Sequence, residues 1–402
     1  MIPSPQKSIE RHWQLRKVRK RNKALDTLLK SNETRSIVSL GIGAPYTHKD
    51  IKASEEKRFV FCPIPQEYVQ SLGEKGFCQY AKKKKDFYLE GNNCLDDSFW
   101  AVEQLKDAYE SIGKTWDKDA KEELISLSRL VANDFNEGLH AKTPKKWFNG
   151  IIYGVKSFEP GKNEDESENA SISFYKTDYF TFQVFAKYYE NHKAEFMQKT
   201  PIMDFIHSWS IPFLSSFGVS VLAIVSSNEI SASLDKSDLV VIVKRSENVR
   251  SDQQKWHFTM NEAIIPGDKG DLKISSSVFR RCATRGFQEE VNWDNDDSFQ
   301  FSSFLFTDFL YSSEFCQMGL TGLLKISVQG ELSKDKSMEK AKDFMIERYV
   351  RARDQSLEST DIKFLPIKEI PYFIDKHSES ISASLLYALN SLLIRFDSID
   401  FK

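Results

Sequence analysis

The chain of 402 residues is longer than one hydrophobic core usually supports, so its length predicts two domains. Hydrophobic residues make up 40% of the chain and aromatic residues 13%, enough apolar surface to exclude disorder over most of its length. The formal net charge of -2 excludes a protein that attracts nucleic acid through its overall charge.

The cysteine pattern and the apolar runs indicate the cellular location of the protein. Five cysteines are scattered along the chain without a Cys-x-x-Cys pair, which argues against a disulfide framework or a structural zinc site. The first residues lead into charge rather than an apolar core, unlike a signal peptide, and the longest apolar run, residues 219–225, is too short to span a bilayer. The sequence predicts a cytoplasmic protein with no membrane partner.

Residues 1–35 form a basic segment. Seven lysines and arginines fall between residues 11 and 23, with apolar residues interspersed in a loosely helical pattern. Such a charge run is typical of a solvated helix face. Contact with nucleic acid or with a protein partner is the alternative interpretation, and the sequence leaves both open.

Residues 36–200 are predicted to form an α+β domain. Alternating or β-branched stretches predict strands, and apolar residues at three- and four-residue steps predict helices. The strands are expected at 36–40, 58–64, 147–155 and 172–175, and the helices at 100–112, 119–139 and 179–196. No metal-ligand or nucleophile spacing occurs in this half, so the sequence indicates no function for it.

The second half, residues 201–402, begins with two apolar runs at 219–225 and 239–245, as buried strands would have. An acidic loop follows, and then a helix expected from about Val278 to Asn292. Its apolar residues repeat at steps of four, which predicts one buried stripe. Arg285 and Glu289 lie one turn apart on another face, with Glu290 about 100° further around the helix.

This order of elements resembles the Nudix hydrolase superfamily. The family's box ends in Arg-Glu-apolar-x-Glu-Glu-x-Gly-apolar, and the matching residues here are Arg285, Phe287, Glu289, Glu290 and Trp293. The resemblance covers roughly residues 205–396, with later strands at 319–328 and 364–367 and a closing helix at 381–396. It implies a mixed-sheet α/β/α sandwich in the second half, beside the α+β domain of the first.

The chain departs from the family's box at several positions. Gly286 stands where the family has a glutamate directly after the arginine, and Asn292 replaces the late glycine. The earlier glutamate of the box is Ser277, and its glycine is Asp271. These losses leave fewer carboxylates than the family uses, and extra ligands could come from Glu262, Asp268, Asp271 or Glu331.

The resemblance implies a divalent-metal site and a nucleotide-type ligand. Glu289 and Glu290, with Glu262 as a third ligand, would hold Mg²⁺ or Mn²⁺, and Arg285 would orient one carboxylate. Three functions stay open: hydrolysis of a nucleoside-diphosphate derivative by metal-activated water, binding of a nucleotide without hydrolysis, or a scaffold that contacts its partner through the basic N-terminus.

Two further features have both a functional and a structural interpretation. His207 and His257 could serve as general bases, although a lone histidine is more often a hydrogen-bonded structural residue. The charged stretch 338–348 predicts an exposed helix, which would neutralise phosphates only if it folded over the sheet.

Overall fold

A computed structural model describes most of the chain. The described residues are 37–41, 51–74, 93–97, 99–140, 149–159, 170–199, 215–230, 233–247, 251–269, 277–292, 299–312, 316–328, 334–352 and 359–396, with single residues at 20, 23, 24, 27, 213, 249, 274 and 399. The fold mixes helices with two mixed sheets, so the predicted α+β and α/β class is confirmed.

The first half contains a small sheet with helices packed beside it. In chain order its elements are β1 (Ile37–Gly41), β2 (Ile51–Phe59), α1 (Gln66–Glu74), α2 (Val102–Ser111), α3 (Lys118–His140), β3 (Ile151–Glu159), β4 (Ala170–Asp178) and α4 (Tyr179–Lys199). Strands β2, β4 and β3 form the small sheet in that order, with β2 parallel and β3 antiparallel to β4. The strand predicted at 58–64 lies earlier, because the chain leaves the sheet after Phe59.

The second half contains the large sheet. Its elements are β5 (Phe217–Ser226), β6 (Leu239–Arg245), β7 (Trp256–His257), β8 (Met260–Ala263), α5 (Ser277–Glu290), β9 (Phe299–Phe301), β10 (Leu305–Ser312), β11 (Gln317–Val328), α6 (Lys334–Arg351), β12 (Ser359–Pro366), α7 (Ile370–His377) and α8 (Ala383–Arg395). A 3-10 turn at Pro266–Lys269 precedes α5.

The large sheet is mixed and has nine strands within the described residues. Its main path runs β1-β10-β11-β5-β6-β12, and β5 and β11 are the parallel pair at its centre. Strand β8 pairs with the first half of β5, and β6 pairs with the second half. The register places Gly218 of β5 opposite Gly319 of β11, a pair that has no side chains.

Helices cover both faces of this sheet. On one face α5 and α6 share a core cluster with alternate residues of β5 such as Val219 and Val221. On the other face α7 and α8 pack against the intervening residues, Leu222 and Ile224. The predicted α/β/α sandwich is therefore present in the second half. No helix of the described residues is long and apolar enough to cross a membrane.

Helix α6 differs from its prediction. The charged pattern predicted an exposed helix, yet Ala341 and Met345 are fully buried in the core cluster beneath it. The charged residues cover only the outer face, because a helix on a sheet needs one apolar stripe and no more.

The two halves share one core. Strand β1 pairs with β10 of the large sheet, and Phe174 of β4 packs edge to face on Phe217 of β5, with ring centroids 5.2 Å apart. Phe158 of β3 contacts Phe309 of β10 at 4.8 Å. The domain bounds expected at residues 35 and 200 stay a prediction.

Candidate functional site

Arg285 lies at the centre of the polar cluster that the sequence singled out. Helix α5 buries Phe279, Ala283 and Phe287 against the sheet, which leaves Arg285 at the flank of the buried stripe. Its guanidinium donates to three carboxylates and one backbone carbonyl. All five of its N–H groups are used in these bonds.

The partners of Arg285 come from three segments. Nε and Nη2 form a two-pronged pair with Asp268, at 2.9 and 3.2 Å, and Nη2 also donates to the carbonyl of Ala263 at 2.7 Å. Nη1 donates to Glu262 at 2.8 Å and to Glu289 at 3.0 Å. Burial alone would lower the pKa of Arg285, but the bond to Asp268 and the charge of Glu262 outweigh it and raise that pKa.

Asp268 is the most buried member of the cluster. Only 2% of its side chain is exposed, and its Oδ2 also accepts from the backbone N–H of Ile265 at 2.9 Å. The 3-10 turn thus presents a carboxylate whose charge depends on Arg285 for compensation. Sequence reasoning named Asp268 only as a possible extra ligand, because a loop residue cannot be placed by periodicity.

Glu290 points to a different place. Its Oε1 accepts from the backbone N–H of Asn261 at 2.9 Å, at the edge of β8. Glu289 and Glu290 are adjacent in sequence, but one bonds a side-chain cation and the other a strand edge. Helix geometry explains the separation, because consecutive side chains diverge by about 100°.

Gly286 fits tightly against β8. A Cβ atom at this position would lie 2.5 Å from Sδ of Met260 and 2.7 Å from Cγ of Glu262. Those distances are shorter than non-bonded atoms tolerate, so a side chain at this position would require the side chains of Met260 and Glu262 to move. A glutamate, which the Nudix box has at this position, would require the same movement.

The carboxylates, as arranged, do not fit a divalent ion. Mg²⁺ needs several oxygen ligands at about 2.1 Å, but Glu262 and Glu289 both bond the Arg285 guanidinium, and Glu290 bonds the backbone of Asn261. Within the part of the chain that is described, no three Asp, Glu, His or Cys side chains form a group that could hold a metal. Asp271, Trp293, Glu331 and His207 lie outside the described residues. The catalytic and metal-binding roles of Arg285, Glu262, Glu289 and Glu290 stay predictions.

An open cleft with a volume of about 80 Å³ lies on the opposite face of the sheet, beside the start of α8. The paired glycines Gly218 and Gly319 line it, and a Cβ on Gly218 would meet the amides of Gln317 and Asn261 at 3.8 and 4.0 Å. The absence of these two side chains deepens the cleft. Asn261 belongs to the same strand that Glu290 contacts, so the cleft and the Arg285 cluster lie on two sides of β8.

His257 also lines the cleft, together with Asp252. The imidazole is 8% exposed, and its nearest acidic atom, Oδ2 of Asp252, is 3.9 Å from Nε2. No hydrogen bond from a described residue to this ring is present, and both interpretations of His257 stay predictions. Burial lowers the pKa of His257 well below its usual range, and the charge of Arg245 lowers it further, so the ring is neutral near pH 7.

Comparison with known proteins assigns no family to the chain. No protein-family model matches the chain, and no curated protein matches it. Among solved structures, DR0079 from Deinococcus radiodurans is similar at 10% identity and a TM-score of 0.27, over 44% of this chain and 81% of that one. A NUDIX hydrolase from Alicyclobacillus acidocaldarius is similar at 11% identity and a TM-score of 0.25, over 46% and 97%. At such scores the likeness carries no argument, and the architecture rests on the chain's own topology.

Proposed function

We propose that the second half is a Nudix-like module that binds a nucleotide-type ligand without hydrolysing it. The observation that supports this is the engagement of Arg285, whose five N–H groups bond Glu262, Asp268, Glu289 and Ala263. In this proposal the remnant of the box holds α5 against β8 and the 3-10 turn. The residues at the box positions then stabilise the fold and take no part in hydrolysis.

The charges of the cluster support the same proposal. Glu262, Asp268 and Glu289 surround the guanidinium of Arg285, and Nη1 of Arg281 lies 3.4 Å from the carbonyl oxygen of Asp268, so three carboxylates face two arginines. A pyrophosphate would be repelled there unless a divalent ion first displaced Arg285 from the carboxylates. That displacement would leave the buried Asp268 without its counter-charge, which is costly in a protein interior.

Hydrolysis of nucleoside-diphosphate derivatives in Mg²⁺ or Mn²⁺ tests the proposal. We expect product release by the full chain to equal that of Glu290→Gln, and at least one nucleotide of the panel to raise the melting temperature of both proteins. Turnover that disappears in Glu290→Gln would overturn the proposal and establish a metal-dependent hydrolase. A panel that neither turns over nor shifts the melting temperature would overturn it in favour of a scaffold.

Two further statements belong to this proposal. The described cysteines Cys62, Cys94, Cys282 and Cys316 are free and buried, which supports a cytoplasmic location. Contact of the basic N-terminus with nucleic acid is a separate proposal, because that segment lies almost wholly outside the described residues. Deletion of residues 1–35 should abolish any salt-sensitive nucleic-acid binding.

A further inference from the structure

Two cysteines, Cys62 and Cys94, lie side by side in the first half of the chain. The backbone N–H of Cys94 donates to the carbonyl of Phe61 at 3.0 Å, and Phe61 and Asn93 are partners in a parallel β-bridge. Cys62 and Cys94 each follow one of those partners by one residue. Neighbouring chains of a sheet lie about 4.8 Å apart, and a disulfide joins residues whose Cα atoms are about 4.4–6.8 Å apart. The bridge therefore places the two cysteines at a separation that a disulfide spans.

The two thiols are close to each other in the interior. Both side chains are fully buried, and both thiols are free. Burial and the neighbouring thiol of Cys62 raise the pKa of Cys94 well above its usual range, and the charge of Asp178 acts in the same direction. Because the thiolate is the reactive form of a cysteine, Cys94 reacts only when it comes into contact with water.

Cys62 is held in place by two helices. Its sulfur lies 3.0 Å from Oγ of Ser128 in α3, and that hydroxyl donates its own proton to the carbonyl of Leu124 at 2.8 Å. The thiol of Cys62 is therefore the donor to Ser128. The backbone N–H of Cys62 donates to Oγ1 of Thr181 in α4 at 2.8 Å. These bonds fix one partner of the pair.

Cys94, in contrast, belongs to a short segment at the surface, residues 93–97. Asp96 and Asp97 are exposed, and Asn93 and Leu95 are half-buried. Segments with few buried side chains open at a lower free energy than core strands do. Opening of this segment brings the thiol of Cys94 into water while Cys62 keeps its bonds to α3 and α4.

We propose that Cys62 and Cys94 form a reversible disulfide by exchange with a small-molecule disulfide. The thiolate of Cys94 attacks one sulfur of that molecule, and the other sulfur leaves as a thiolate. The thiolate of Cys62 then attacks the sulfur of Cys94, and the second half of the small molecule leaves. Two protein thiols are oxidised, one small disulfide is reduced to two thiols, and the two protons pass to the leaving groups. The product fastens the segment 93–97 to the end of β2.

The other two described cysteines have hydrogen-bond partners that are not thiols. Cys282 donates to the carbonyl of Glu262 at 3.7 Å, and Cys316 accepts from the hydroxyl of Tyr311 at 3.6 Å. They therefore serve as internal controls for the selectivity of the reaction. Cys78 lies outside the described residues, so the test has to follow it separately.

The test is a peptide map of the unmodified full chain after incubation with oxidised glutathione. The reaction is run at neutral pH, both without urea and in urea below the unfolding transition, and the peptides are identified by mass spectrometry without reduction. We expect one cross-link, between Cys62 and Cys94, that dithiothreitol removes. The closed loop should raise the melting temperature by about 3 °C or more. Cys282 and Cys316 should remain thiols.

Two variants separate this pair from the other cysteines. Cys94→Ala should lose both the cross-link and the rise in melting temperature, whereas the control Cys78→Ser should keep both. The inference is overturned by a map in which Cys62 and Cys94 are still thiols, with urea as without it. Cys94 joined to Cys78, or to glutathione alone, would overturn it as well. The map needs no variant to fold.

This inference does not depend on the proposed function. No residue of the Arg285 cluster takes part in the exchange, so the hydrolysis and nucleotide assays neither support it nor overturn it. It gives the first half of the chain, for which the sequence indicates no function, a chemical reaction of its own.

Discussion

Arg285 joins segments that are far apart in the sequence, because β8, the 3-10 turn and α5 each supply one carboxylate to it. Replacing it with alanine would leave Asp268 buried and unpaired, and we expect a loss of about 3–5 kcal/mol in the free energy of unfolding. Arg285→Lys should lose less, since it keeps the charge but not the two-pronged geometry. Urea denaturation measures both, with the exposed Arg280→Ala as a control that changes stability by at most about 0.5 kcal/mol. A loss no larger than that of the control would refute the structural role of the cluster.

Gly286 stands where the Nudix box has a glutamate, and a side chain there would contact β8 closely. A side chain there meets Met260 and Glu262 at under 3 Å, so Gly286→Glu should destabilise the protein by about 1–3 kcal/mol and bring no hydrolytic activity. Gln288→Glu adds the same charge at an exposed position of the same helix and should be nearly neutral. Thermal unfolding and a nucleotide hydrolysis assay check the pair. A stable, active Gly286→Glu protein would mean that β8 moves readily.

His257 should make stability depend on pH. Its pKa is lowered in the folded protein by burial and by Arg245, so below about pH 6.5 the unfolded chain binds a proton that the folded chain does not. The free energy of unfolding therefore has its full value above about pH 6.5. It decreases as the pH is lowered, by up to about 1.4 kcal/mol per pH unit, until the folded group is itself protonated. Denaturation at pH 5 to 8 should show this slope, reduced in His257→Gln. An unchanged slope in that variant would contradict the prediction.

At the scale of elements, the sequence predicts most accurately the helices and strands whose pattern lies within a single segment. The apolar runs of β5 and β6 and the four-residue steps of α5 are properties of single segments, and the structure has all three. The cleft could not be found this way, since His257, Asn261 and Ser384 come from three elements. Within the Arg285 cluster, only the pair with Glu289 is local, and the contacts to Glu262 and Asp268 depend on how β8 and the turn pack.

Strand β10 illustrates a second reason for a missed element. Asp308 interrupts its apolar pattern, and it is buried because Arg395 of α8 bonds it at 2.7 Å, with Tyr387 and Ser391 also donating to it. A charged residue in a strand looks exposed in a sequence until its partner, far along the chain, is known.

This buried pair anchors α8 to the sheet. Arg395→Met leaves the charge of Asp308 buried without a counter-charge and should cost about 3–5 kcal/mol, while the double variant Asp308→Leu/Arg395→Met should recover much of that loss. Chemical denaturation of the two single variants and the double variant gives the coupling energy. Additive losses would show that the two side chains do not act as a pair.

At the scale of the whole molecule, the two halves are connected by strand pairing and by aromatic packing. Phe174 contacts both Phe217 of β5 and Phe279 of α5, and β1 supplies a strand to the large sheet. The boundary expected near residue 200 from the change in sequence character stays a prediction, and the aromatic contacts of Phe174 cross it. A change in composition marks a position along the chain, whereas the extent of a hydrophobic core depends on contacts between distant segments.

The shared core leads to a prediction about cooperativity. Because β4 and β5 bury aromatic residues against each other, we expect them to unfold together, in one transition for both halves. Hydrogen exchange followed by mass spectrometry, over a range of urea concentrations, should show protection lost from both strands at the same concentration. Residues 201–402 expressed alone should be less stable, since the fragment lacks β1 and exposes Phe217 and Phe309. Two separate transitions, or a fragment as stable as the full chain, would contradict this prediction and support the domain boundary expected at residue 200.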